Sequence, residues 1–157
     1  MQLTKNFTSQ EMSKSYTAQR FGIDNTPNAE QVENLQYLCD VICQPCRDEF
    51  GRINVNSAFR GAALNKIMGS SNRSFHPLGC AGDLEAEEYS NIELLIYIYD
   101  NLPFTELIAE YFDKDDERAG WVHVAAKEGD DRKLLKLKDK QHNYQIVTIE
   151  YLKELYA

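Results

Sequence analysis

The chain has 157 residues, 43% of them hydrophobic, enough for one domain with a substantial core and no need of cross-links. Its net charge of -8, from 25 acidic and 17 basic side chains, argues against nucleic acid as a partner, which needs lysine and arginine to displace counterions. No apolar run approaches the ~20 residues that span a bilayer, and "MQLTKNFTSQEM" lacks the apolar stretch of a secretory leader, so a cytoplasmically made monomer with no membrane partner is expected.

Thr8-Ser-Gln-Glu11 has the pattern of a capping box and predicts a short helix from about residue 9. Residues 21–30 are turn-rich. A long amphipathic helix then opens at Pro27 or Asn28 and runs to about residue 49, with Val32, Leu35, Leu38, Ile42 and Cys46 at helical spacing and Gly51 as its stop. Residues 53–59, "INVNSAF", alternate like a half-buried strand, and 61–69 read as a short helix closed by Gly69. "AGDLEA" is a second strand and residues 89–102 a second helix. "FTELIAEY" and "WVHVAA" are further strands, separated by the acidic loop "FDKDDERAG". The basic residues of 131–140, "DRKLLKLKDK", are interleaved with acids and read as a solvated face. The tail is a strand or a helix. Without repeats or linkers, the pattern predicts a single α+β domain, its helices largely ahead of a small antiparallel sheet.

Four cysteines raise the question of a metal or redox site. Cys39, Cys43 and Cys46 are spaced by 4 and 3, which puts them on one helical face, where small apolar thiols pack into a core. A redox Cys-x-x-Cys belongs at a helix start after a strand, whereas Cys43-Gln-Pro-Cys46 lies well inside a helical pattern.

The histidines are more informative. "SFHPLGCAGD" places His76 seven residues before Asp83, with Pro77 and Gly79 to bend the chain between them. If "CAGD" enters a strand, Asp83 shares a face with Ala81, and the turn brings His76 back to it. In "WVHVAA", His123 stands between Val122 and Val124 and points to the opposite face. Two histidines and a carboxylate suit catalytic zinc, leaving a fourth position for water. Taken singly, each histidine reads more simply as a hydrogen-bonded structural residue, and spacing alone does not decide the matter. His142 lies in a polar, unpatterned stretch.

Ser74-x-His76-x-x-Gly79-x-Ala81-x-Asp83, followed by Trp121-Val-His123-Val, resembles the zinc D-Ala-D-Ala carboxypeptidase and L-alanyl-D-glutamate endopeptidase family, in its phage and bacterial peptidoglycan-peptidase branch. "GIDNTPNAEQVENLQYL", "QPCRDEFGRINVNSAFRGAALN" and "FTELIAE" fit the same family in the right order, so the likeness covers residues 7 to about 126 of a single domain spanning 1–157. Residues 127–157 form a C-terminal extension with no clear counterpart. The resemblance implies a hedgehog-like peptidase fold and one zinc per chain, bound by His76, Asp83 and His123. It also implies that Arg60 holds the substrate near the metal, a role its planar fork suits; a surface salt bridge is the plainer alternative. Ser57 and Ser74 would support ligands or substrate, or simply shape turns. The implied substrate is a peptidoglycan stem peptide, cut at D-Ala-D-Ala or L-Ala-D-Glu. An apparent lack of a leader suits a phage lysin that reaches the wall after release.

The sequence departs from the family pattern at three places. Phe75 stands where many relatives have glutamine, and Gly82 where alanine is usual. Several members carry an acid three residues before the last histidine, where this chain has Gly120. The general base must then come from elsewhere. Glu110 alternates with Ile108 and Glu106 on a strand, and its block matches the acid of relatives that lack one near the last histidine. Glu117 is nearer His123 in sequence but lies in a charged loop. A rigid strand aims a base better than a loop, which favours Glu110. Gly120 also keeps open a noncatalytic zinc-containing binding module of the same fold, like the hedgehog signalling domain.

Overall fold

The computed structural model describes residues 1–71 and 73–157. Helix α1 (Ser9–Met12) begins where the Thr8 hydroxyl accepts from the Glu11 amide, as the capping pattern requires. A second short helix, α2 (Tyr16–Arg20), is capped by Ser15 and has no counterpart in the sequence reading. It has too few apolar residues to show a helical period.

The long helix is real but is not uniform. It comprises α3 (Ala29–Leu38), one π turn (Cys39–Cys43) and α4 (Gln44–Phe50). Asn28 and Gln31 form a reciprocal capping box at its start, and Gly51 ends it at φ 76°. Pro45 explains the π turn. Proline has no N–H to give the carbonyl four residues back and its ring crowds that carbonyl, so the helix widens just before it. The Gln44 amide accordingly donates five residues back, to the Cys39 carbonyl. Cys39, Cys43 and Cys46 remain fully buried core side chains on this helix. Hydrogen bonding to Cys39 and burial hold the Cys43 thiol well above its ordinary range, and burial pushes Cys46 up to about 12, so these thiols stay protonated.

Six strands form one sheet in the order β1 (Ile53–Ser57), β2 (Ala81–Ala86), β4 (Trp121–Ala125), β3 (Glu106–Glu110), β5 (Leu134–Lys138), β6 (Tyr144–Ile146). Neighbours are antiparallel except β3 and β5, which run parallel. Helix α5 (Ala62–Ile67) follows β1, α6 (Asn91–Asn101) follows β2, and α7 (Ile149–Tyr156) closes the chain. The expected α+β domain is thus present, though helices α6 and α7 do not precede the sheet. No helix among the described residues is long and apolar enough to cross a membrane.

Strand alternation splits the sheet into two faces. Leu84, Leu107, Ala109, Val122 and Val124 are fully buried in one core with Leu35, Leu38 and Ile42 of the long helix and Leu94, Leu95 and Ile98 of α6. Each leucine so buried contributes roughly 2 kcal/mol of hydrophobic free energy. The other face carries the polar residues: Asp83 on β2 lies directly opposite His123 on β4, and His123 opposite Ile108 on β3. A bulge between Val55 and Ser57 leaves Asn56 unpaired and sets Ser57 opposite Asp83, so the end of β1 turns toward this polar face.

Residues 131–140 correct the sequence reading. They are not merely a solvated face, because Leu134–Lys138 forms β5 and buries Leu135 and Leu137. Its parallel pairing needs the chain to leave β4, pass the start of β3 and enter beyond it. Thr105, fully buried, fastens that crossing: its hydroxyl donates to the Asp130 carbonyl at 2.7 Å and accepts from the Lys127 amide at 3.0 Å, while its own carbonyl accepts from Leu134. The tail resolves into both expected alternatives, strand β6 and helix α7.

Candidate metal centre

His76 opens a 3-10 turn (His76–Leu78) closed by Gly79 at φ 79°. The turn is seated on α3. Gln31 and Asn34 side chains donate to the Pro77 and Leu78 carbonyls at 3.1 and 2.8 Å. A Cβ on Gly79 would lie 2.6 Å from the Gln31 carbonyl oxygen, so only glycine allows this approach. The Ser74 hydroxyl accepts from the His76 amide, bracing the turn from the other side.

The imidazole is fixed in tautomer as well as place. His76 Nδ1 is 2.6 Å from the Ala58 carbonyl oxygen, which can only accept, so Nδ1 carries the hydrogen and Nε2 keeps its lone pair. That Nε2 stands 3.5 Å from Asp83 Oδ1. From β4, His123 Nδ1 approaches the same oxygen to 3.1 Å. The outer nitrogen of His123, Nε2, is 3.3 Å from Glu106 Oε1, within ion-pair range though off the hydrogen-bond direction. Lys136 in turn donates to Glu106 Oε2 at 2.9 Å. Glu106 therefore holds the far side of the His123 ring and leaves Nδ1 facing His76 and Asp83.

His76, Asp83 and His123 form a buried group whose donor atoms all lie within 4.8 Å of one another. Tetrahedral zinc with bonds near 2.0–2.1 Å sets its ligands about 3.3 Å apart. The 3.1 and 3.5 Å separations fit that spacing, and both nitrogens that face Asp83 can serve as ligands, His123 Nδ1 once it gives up its proton. The group could hold a metal ion.

Electrostatics at the site follow from burial and pairing. Burial pushes His76 below its ordinary value, against the pull of Asp83. Burial opposes charge on His123 too, yet the hydrogen bond to Asp83 and the close pairing with Glu106 overcome it and raise the imidazole to about 10. Burial would raise Asp83, but the two imidazoles outweigh it and hold the carboxylate well below its usual range. Glu106, likewise buried, is brought down to about 2 by His123 and Lys136. Glu110 differs. Burial raises it despite the nearby His123, leaving a carboxyl that readily takes a proton.

Of the two candidate bases, the fold brings Glu110 to the site and leaves Glu117 outside it. Glu110 is 8% exposed, and its Oε1 lies 3.7 Å from His123 Nδ1. Glu117 is exposed on the 113–118 loop, where its backbone carbonyl accepts from the Asn91 amide. Gly120 adopts φ 72°, and a Cβ there would overlap the Glu110 carbonyl oxygen and the Tyr111 backbone. No side chain fits at residue 120.

Arg60 follows β1, and its amide donates to the His76 carbonyl at 3.3 Å. Its Nη2 donates to the Ser70 hydroxyl at 3.3 Å, whereas Nε is buried without a partner among the described residues. Burial lowers its pKa, and Asp83 and Glu110 oppose that drop, which puts the guanidinium in the field of the site. Ser57 lies beside Asp83 across the β1–β2 pair, and Ser74 acts on the His76 backbone. Glu106 is the residue whose part the sequence reading missed. Its signal was present in the alternation Glu106, Ile108, Glu110. His142 lies apart, exposed and bonded to the Tyr111 hydroxyl.

The family model described as Peptidase M15 matches residues 5–125, from ahead of α1 to the last residue of β4. No curated protein matches the chain. Strands β5 and β6 and helix α7 lie beyond the matched region. With more than half its length matched and the His-Asp-His group in place, the chain belongs to the peptidase M15 family, whose members hydrolyse peptide bonds.

Proposed function

We propose that this chain, a single peptidase domain over residues 1–157, is a zinc-dependent hydrolase of peptidoglycan stem peptides, of the D-Ala-D-Ala carboxypeptidase or L-Ala-D-Glu endopeptidase type. The observation that carries the reading is the convergence of His76 Nε2 and His123 Nδ1 on Asp83 Oδ1, with Glu110 buried beside the same His123 nitrogen. His76, Asp83 and His123 would hold one zinc ion. When bound, the metal supplies Lewis acidity, which polarises a carbonyl and acidifies water.

The chain's own groups do the rest. Glu110 accepts the proton of the attacking water at Oε1, and its raised affinity for that proton suits it to pass the proton on to the leaving amine. Arg60, whose guanidinium lies in the field of Asp83 and Glu110, turns its positive charge toward the negative charge that develops on the scissile carbonyl oxygen. Glu106, backed by Lys136, keeps the His123 ring from turning. Glu110, buried and 3.7 Å from the ligand nitrogen of His123, favours the catalytic reading over a noncatalytic module. The test is incubation of the purified protein with muropeptides, with and without a chelator, followed by detection of new amino termini. Chelator-sensitive cleavage is expected. Intact muropeptides after incubation with zinc-loaded protein contradict the reading.

A further inference from the structure

The matched region ends at Ala125, yet the site face of the sheet does not. Parallel pairing with β3 sets Lys136 opposite Ile108 and Lys138 opposite Glu110, and β6 sets Tyr144 opposite Lys138. Residues 2 apart on a strand share a face, so both lysines stand on the side that carries His123 and Glu110. Their circumstances differ. Lys136 is paired with Glu106 at 2.9 Å. Lys138, half-buried, has no carboxylate within 4.0 Å among the described residues. It lies instead between two rings, 5.2 Å from the centroid of Tyr111 and 4.9 Å from that of Tyr144. Aromatic faces offset part of the cost of shielding a cation from water but do not replace a counter-ion. Glu110, opposite it in register, acts on it through the field only, so Lys138 has no direct ion pair on the flank of the metal group among the described residues.

We propose that Lys138, walled by Tyr111 and Tyr144, is a substrate subsite that takes a carboxylate of the peptide being cleaved. This rests on the stem-peptide reading above. From β4 to β5 is two strand spacings, roughly 10 Å, or two to three residues of extended peptide. A peptide whose scissile carbonyl lies at the His-Asp-His group can therefore place an acid two to three residues along at Lys138. Stem peptides offer two such carboxylates, the chain-terminal one and the free carboxylate of the internal glutamate. The extension beyond residue 125 thereby adds selection for acidic peptides to the matched portion of the site.

The experiment compares two pairs of synthetic stem peptides with the zinc-loaded full chain. One pair differs only in a terminal carboxylate against a terminal amide, the other only in an internal glutamate carboxylate against its carboxamide. Wild-type protein is expected to prefer the acid in one pair by about 10-fold in kcat/KM, with KM carrying the difference. The pair that shows the preference identifies the carboxylate. In Lys138→Gln that preference falls to near unity, Lys138→Arg restores most of it, and Lys153→Gln on α7, with the same loss of charge, keeps it. A preference unchanged in Lys138→Gln, or absent from wild type in both pairs, overturns the subsite. If wild type cleaves none of the four peptides, the proposed activity fails by itself, and calorimetric binding of the same intact peptides still decides the subsite. Tighter binding of an acid peptide that Lys138→Gln loses supports it; equal affinities overturn it.

Discussion

The carbonyl oxygen of Glu110 occupies the space that a side chain on Gly120 would need. Position 120 is thus closed by backbone, and the residue whose backbone closes it carries the buried carboxyl. Gly120→Ala meets both a positive φ and main-chain atoms that no rotamer change can move. A loss of at least about 2 kcal/mol in denaturant unfolding is expected, with cleavage falling as the end of β3 shifts. Wild-type stability in Gly120→Ala contradicts this packing.

Arg60 carries a buried Nε that has no partner among the described residues, and its guanidinium lies in the field of Asp83 and Glu110. Arg60→Ala should lower kcat/KM on a stem peptide by about 100-fold or more if the guanidinium stabilises the oxyanion, and zinc content should stay at one per chain. Wild-type kinetics in that variant return Arg60 to a structural bond with Ser70.

Zinc loading should release a proton. In the metal-free protein His76 is held neutral by its lowered pKa and Asp83 ionised by its own, whereas His123 is raised to about 10 and so is protonated at neutral pH. A ligand nitrogen must be free of its proton, so zinc has to displace one from His123. Affinity then rises by about tenfold per pH unit across about pH 6 to 8. Calorimetry in buffers of different ionisation enthalpy should give close to one proton per zinc, and no buffer dependence contradicts the pairing of His123 with Asp83 and Glu106.

Much of the site's scaffold is legible in the sequence because strand alternation is a local signal. "AGDLEA", "ELIAE" and "WVHVA" each show which residues share the face of Asp83, Glu110 and His123. That Asp83 and His123 face each other is not local, since 40 residues separate them, and only the family resemblance joins them. The π turn is legible in retrospect from Pro45. Strand β5 was hidden because Lys136 and Lys138 look like solvated charge, while Leu135 and Leu137 carry the alternation that marks a strand. Its parallel place beside β3 depends on the Thr105 crossing, which no periodicity reports. The lysines that suggested open solvent instead border Glu106 and Glu110.

The most direct test replaces the buried carboxyl alone. Glu110→Gln keeps nearly the same volume and the strand pairing, so the fold and one zinc per chain should be retained, as read by thermal unfolding and elemental analysis. Stem-peptide cleavage by that protein should fall by about 100-fold or more, the loss expected when a positioned base is removed. Glu117→Gln, on the exposed loop, should stay within about twofold of wild type. Full activity in zinc-loaded Glu110→Gln, with loss in Glu117→Gln, would contradict the account and give proton transfer to the loop.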